Sequence, residues 1–112
     1  MKEDKVYLEH IQDCIKQIMD YTHEGKSDFM LDRKTQDAVV RNLEIIGEAV
    51  KNISPELKTL YPQLPWQNMA GMRDKLIHEY FGVNLELVWG VVENNLLTVD
   101  ATISHILKAN RG

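Results

Sequence analysis

Cysteine is nearly missing from this sequence. Cys14 stands alone, so no internal disulfide can form and a thiolate-based zinc site has too few ligands. Proline is also sparse, with Pro55, Pro62 and Pro65 making up the whole set, and no glycine-rich, proline-rich or low-complexity stretch marks a disordered segment. No apolar run approaches the length of a membrane span. The start, Met1-Lys2-Glu3-Asp4-Lys5, mixes both signs of charge and lacks the apolar core of a signal peptide. A cytoplasmic protein with no membrane partner is therefore expected. A basic excess is missing too: 13 Lys and Arg stand against 17 Asp and Glu, a formal net charge of −4, with a pI near 5.5. That excludes a broad basic face that coats nucleic acid, and DNA is not an expected partner. If RNA is bound, a few focused cations must capture it, best doubled by symmetry.

What is present is an ordinary globular composition, 44 % hydrophobic and 27 % charged over 112 residues, without internal repeats. One domain spanning 1–112 is expected, with one core. From Val6 to about Thr22 the residues Leu8, Ile11, Ile15, Ile18 and Met19 keep the three-and-four spacing of a helical stripe, which Gly25 ends. A second helix is expected from about Asp32, its N-cap, through Val39, Leu43, Ile46, Val50 and Ile53. Ser54-Pro55 then caps a single turn around Glu56 to Leu60. Pro65-Trp66 starts a third helix that carries Met69, Met72, Leu76 and Ile77 and is broken by Gly82 and Asn84. The last runs from Leu85 to about Lys108, with Val88, Val92, Leu96, Val99, Ile103 and Ile106 on one face. No window alternates like a strand. The expected fold class is all-α, a small antiparallel up-and-down bundle of three long helices and one shorter one. Trp66, Phe81 and Trp89 are expected in the core or in a subunit interface. A second apolar face, Leu85, Leu87 and Val91, points to a dimer. Cys14, on the first stripe, is expected to be a buried small side chain.

Chemistry has few places to reside. His10, His23 and His105 fall on different elements and form no metal-ligand pair, and neither a phosphate-binding glycine loop nor a nucleophile elbow is present. No cofactor and no metal are expected. The remaining cluster is Arg73-Asp74-Lys75-Leu76-Ile77-His78-Glu79-Tyr80. His78 offers an acid–base group; Asp74, four residues earlier on the same helical face, can hold its tautomer. Arg73 offers a permanent fork of donors for a phosphate or phosphorane. Tyr80 adds a hydroxyl on the side of Arg73. Five helical residues separate Arg73 from His78 by roughly 140°, so one atom is served by both only if the helix is irregular near Gly71, if the arginine's length compensates, or if a two-fold axis unites two copies. Spacing alone leaves open a plainer reading, with Arg73 and Asp74 as surface charges and His78 as a packing residue. In the second helix Asn42, Glu44 and Glu48 are polar among apolar neighbours; either Gly47 admits a neighbouring helix or backbone, or Arg41, Glu44 and Glu48 form a solvated face with ordinary spacing pairs.

Arg-x4-His-x-Tyr, at Arg73, His78 and Tyr80, resembles the signature of the HEPN superfamily, and specifically of HepT-like toxins. Three flanking segments resemble the same family in the same order: Arg41 to Ala49, Pro65 to Arg73, and Val83 to Trp89. The resemblance implies a helical bundle pairing into a homodimer, with a metal-independent endoribonuclease site at the dimer cleft. It also implies a neighbouring MntA-like nucleotidyltransferase antitoxin, which transfers AMP to the motif tyrosine. Carried onto this chain, Arg73 and His78 become the catalytic pair, with Asp74 and Tyr80 supporting them, and Tyr80 the AMP acceptor. Family members often have asparagine or another polar residue after the arginine; Asp74 keeps an acceptor there but adds negative charge. Two functions follow: a toxin ribonuclease acting on RNA such as tRNA or mRNA, or a non-catalytic binding subunit of a minimal nucleotidyltransferase.

Overall fold

The computed structural model describes residues 2–78 and 84–109, and for Lys2, Arg73 and residues 76–78 the backbone alone. Among the described residues all regular structure is helical. Helix α1, Lys2–Tyr21, begins four residues before the apolar stripe, with Glu3 and Asp4 in the first turn, where negative charge favours the exposed amides. Leu8, Ile11, Ile15 and Ile18 are buried along it, as is Cys14. Burial, with a smaller contribution from Asp13, pushes the Cys14 thiol pKa up, which keeps it unreactive. The helix closes at Thr22, whose hydroxyl donates to the Ile18 carbonyl at 2.7 Å.

A short helix unforeseen in the sequence follows: α2, Lys26–Leu31. Its one buried residue, Phe29, lies with its ring centroid 5.4 Å from that of Trp89, tilted by 40°. Lys26 Nζ reaches Glu86 Oε2 at 2.8 Å. Helix α2 is thereby clasped to the sixth helix by an aromatic pair and an ion pair. Asp32 ends α2 and caps α3, Arg33–Lys51, accepting from the Lys34 amide at 3.0 Å and the Thr35 hydroxyl at 2.8 Å. The Thr35 hydrogen bond holds the Asp32 carboxyl below its ordinary pKa.

Helix α4, Pro55–Leu60, is the expected single turn, with Ser54 accepting from the Leu57 amide and Pro55 in the first turn. Ser54 has a second task. Its amide and hydroxyl both donate to the buried carboxylate of Asp4, at 2.8 and 2.6 Å, tying the start of α1 to the end of α3. Helix α5 spans Trp66–His78. The expected last helix is two: α6, Leu85–Asn94, and α7, Leu96–Ala109. Asn95 sits between them with φ −118°. The amide side chains of Asn94 and Asn95 compete with the backbone for hydrogen bonds and disfavour a helix interior, whereas the apolar stripe continues across the break. The four-helix expectation is thus corrected to seven helical segments among the described residues.

Helix α3 is central. It packs most extensively against α5 and α1, while α7 packs on α1 and α6. Gln12 of α1 bridges to α7 through Asp100 Oδ1 at 3.2 Å and Ser104 Oγ at 2.8 Å. Trp66 and Trp89 are buried as expected; Phe81, Gly82 and Tyr80 lie outside the described residues. No described helix is long and apolar enough to cross a membrane.

Candidate functional site

Helix α5 carries Arg73, Asp74 and His78, and its N-terminal end is firmly anchored. The Trp66 indole is buried and donates from Nε1 to the Tyr61 carbonyl at 2.9 Å, while the Met69 amide reaches the Pro65 carbonyl at 2.9 Å. Met69, Ala70 and Met72 pack partly buried against the core, whereas Gln67, Asn68 and Gly71 face outward. The helix runs unbroken through Gly71, where a Cβ would meet nothing within 4 Å. Irregularity at Gly71 therefore does not bring Arg73 and His78 into phase. Of the three alternatives that one is removed, and the arginine's length and a second copy stay open. Arg73 and His78 both belong to the backbone of α5, and their side chains, like the whole of Tyr80, lie outside what is described.

Of the expected site residues Arg73, Asp74, His78 and Tyr80, Asp74 is the one whose side chain is described. Lys51 Nζ, from the last residue of α3, donates to Asp74 Oδ1 at 3.0 Å, with both side chains partly exposed. Sequence reasoning did not single out Lys51. No local pattern could have done so, because 23 positions separate the partners and only the packing of α3 on α5 unites them.

Two grooves flank α3. An apolar one of about 270 Å³ lies between α3, α5 and the α6–α7 junction, lined by Leu43, Ile46, Met69, Met72, Val91 and Leu96, among others. The other, of about 320 Å³, runs between α1 and α3 past Tyr7, His10, Arg41, Glu44, Glu48 and Asn52. Arg41 lies 3.6 Å from Glu44 on this partly solvated side. Asn42 is buried but spends its amide on the Ala38 carbonyl of its own helix, at 3.0 Å. Gly47 is buried on α3, the helix that packs against both α1 and α5. The polar residues of α3 thus include one ordinary spacing pair and one self-satisfied amide.

Among the described side chains the histidines do not gather. His10 is on α1, His105 on α7, and exposed His23 follows α1, its ring bonded to the Asp20 carbonyl and to Glu24 Oε1 at 2.8 and 2.9 Å. Those contacts, the Asp20 hydrogen bond foremost, raise the His23 pKa. Among the described residues no three or more His, Cys, Asp or Glu side chains cluster as metal ligands would.

A family model described as "Ribonuclease HepT-like" matches residues 11–106, most of α1 through most of α7. The chain belongs to the ribonuclease HepT-like family, within the HEPN superfamily. A protein of Thermococcus cleftensis named "Probable ribonuclease HepT" is 45 % identical over 108 residues, 96 % of this chain and 98 % of that one. A protein of Methanocaldococcus jannaschii, provisionally named an RNase, is 45 % identical over 112 residues, 99 % of this chain and 93 % of its own. One from Caldanaerobacter subterraneus, also provisionally named an RNase, is 42 % identical over 115 residues, 99 % of this chain and all of the other. No solved structure matches significantly.

Proposed function

We propose that this HepT-like chain is a metal-independent endoribonuclease, the toxin of a type VII-like toxin–antitoxin pair, with Arg73 and His78 as its catalytic residues. The observation that carries the reading is the Arg-x4-His-x-Tyr motif, whose Arg73 and His78 fall in α5, in a chain of which 96 % or more aligns with relatives named as ribonucleases. His78 would draw the proton from a ribose 2′-hydroxyl as its oxygen attacks the adjacent phosphorus. Arg73 would neutralise the charge on the phosphorane, and an imidazolium would return a proton to the departing 5′-oxygen. One P–O bond forms and one breaks, leaving a 2′,3′-cyclic phosphate and a 5′-hydroxyl.

The phase difference between Arg73 and His78 favours a homodimer in which both copies line one cleft. Leu87 and Leu97, exposed on α6 and α7, are apolar side chains that such pairing could cover. Tyr80 would be the acceptor of AMP from an MntA-like nucleotidyltransferase antitoxin. The adenylate would place negative phosphate at Arg73 and a purine across the RNA path.

The test is incubation of the purified protein with total RNA and with tRNA in excess chelator, beside His78→Ala and Arg73→Ala variants. Cleavage that persists in chelator and falls by about 10²–10⁴ in each variant supports the reading. Cleavage that chelator abolishes refutes metal independence, and cleavage indifferent to both substitutions refutes the site. Intact-mass spectrometry after co-expression with the neighbouring nucleotidyltransferase should show added AMP that Tyr80→Phe prevents; an unmodified but silenced chain would overturn that part.

A further inference from the structure

An aspartate beside a phosphate-binding arginine is electrostatically unwelcome. A carboxylate next to Arg73 repels the anion that Arg73 is there to hold, and the chain's net charge of −4 offers no general attraction to offset it. The packing brings a cation from outside the motif to this carboxylate. Lys51 closes α3, and its ammonium lies 3.0 Å from Asp74 Oδ1, one residue beyond Arg73 and one helical turn before His78 on α5. The pair is not sealed away: Lys51 retains 37 % and Asp74 50 % of side-chain exposure. A lysine so placed keeps free N–H donors facing water, since an ammonium has three and a single carboxylate oxygen takes one. The main chain also favours a cation there, because the C-terminal end of α3 carries the partial negative charge of its helix dipole.

We infer that Lys51 is a phosphate-binding residue of the RNA site, held in place by Asp74, and that the two act as a balanced unit: the ammonium cancels the carboxylate and presents its remaining donors to a phosphate of the bound strand. This rests on the ribonuclease reading above. It extends the anion-binding surface from α5 onto α3 and gives Asp74 a role besides any it has toward His78. It also accounts for how a family member tolerates an acidic residue after the motif arginine.

A different role is the natural competitor. An exposed ion pair between two helices can be a simple strut, worth little to stability. The two roles predict opposite signs for one substitution. In a strut, Lys51→Ala and Asp74→Asn remove the same contact and affect RNA binding alike. In a balanced unit, Lys51→Ala removes the cation and weakens binding, whereas Asp74→Asn removes the negative charge beside it and tightens it.

The experiment measures binding of the whole protein to a fluorescent, fully 2′-O-methylated RNA of random sequence, which cannot be cleaved, across a range of salt concentrations. Lys51→Ala should weaken binding roughly three- to tenfold and lower the slope of log K against log salt by about one. Asp74→Asn should tighten binding by about threefold. The double variant should fall between the two singles, and Lys51→Arg should keep most of the wild-type affinity. On cleavable RNA, Lys51→Ala should raise KM more than it lowers kcat, because a phosphate grip is shared by ground and transition states. Equal weakening by Lys51→Ala and Asp74→Asn, or an unchanged salt slope in a chain that does cleave RNA, overturns the inference and leaves the ribonuclease reading standing. A wild-type chain that neither binds nor cleaves RNA overturns both. Melting curves for each variant separate loss of fold from loss of contact.

Discussion

Helix α3 buries Val39, Leu43, Ile46 and Val50 along one stripe and is capped at both ends, by Asp32 and by the Asn52 amide bonding back to Ala49 and Val50. Helix α5, packed directly on it, buries Trp66 in its described part, half-buries Met69, Ala70 and Met72, and leaves Gln67, Asn68, Gly71 and Lys75 in solvent. One helix is written for packing. The other is held at its beginning by Trp66 and near its end by Lys51, and between these points its described side chains meet the core through the half-buried Met69, Ala70 and Met72. A helix proposed to carry chemistry need not also carry the fold, provided its neighbours fix its position. The proposed site and the stability of the chain should therefore respond to different substitutions.

The sharpest way to break that division is to strike each side hard. His78→Ala, at about 10²–10⁴ in rate, should leave the melting temperature close to that of the parent chain. Phe29→Ala should do the reverse. Phe29 is buried and stacked obliquely on Trp89, so its loss should cost about 3–5 kcal/mol in denaturant unfolding, while folded molecules at low temperature still cleave RNA. If Phe29→Ala abolishes cleavage in a chain that is demonstrably folded, the scaffold and the site are coupled and the comparison fails.

Ser54→Ala tests the scaffold at a polar joint. The hydroxyl of Ser54 caps α4 and donates to buried Asp4, so its removal strips a cap and leaves a charged acceptor with one donor fewer. The expected loss is about 2–3 kcal/mol by chemical denaturation. Ser54→Thr should retain most of the stability. A loss below about 0.5 kcal/mol would mean that water replaces the hydroxyl at Asp4, and that α1 and α4 are joined by packing alone.

These scaffold features differ in how far the sequence announces them. The stripes of α1 and α3, the caps Asp32 and Ser54-Pro55 and the start at Trp66 follow from local rules of spacing and hydrogen bonding, and all were legible. Helix α2 was not, because Lys26–Leu31 is too short to show a helical period and its Phe29 finds its partner only across the fold. The break at Asn95 was hidden by apolar residues that stay in phase on both sides of it. At the site, the motif was legible by its resemblance to a family, whereas the Lys51–Asp74 pair was invisible, since charge pairing between separate helices leaves no mark in either helix's own pattern.

The smallest expected effect concerns the turn between α1 and α2, where the scaffold depends on a single backbone conformation. Gly25 has φ 96° and ψ −178°, a region open essentially to glycine alone. Its amide donates to the Thr22 carbonyl at 3.0 Å and its carbonyl accepts from the Phe29 amide at 3.1 Å, so the conformation joins the end of α1 to the start of α2. A Cβ at this position would meet nothing within 4 Å, so the cost of a side chain lies in the backbone and not in a clash. Gly25→Ala should accordingly destabilise the chain by about 1–2 kcal/mol. Gly25→Asn should do no better, since this conformation lies outside the left-handed helical region that asparagine tolerates. The mirror-image residue separates the causes. D-Alanine, introduced at position 25 by chemical synthesis, finds this φ and ψ in its own extended region and restricts the unfolded chain. It should match the parent or exceed it by about 0.4–1 kcal/mol. Equal destabilisation by L- and D-alanine in denaturant titrations would show that space, not backbone conformation, limits the turn. Cleavage by the folded protein should be the same for all three, because the turn belongs to the packing side of the division that α3 and α5 mark.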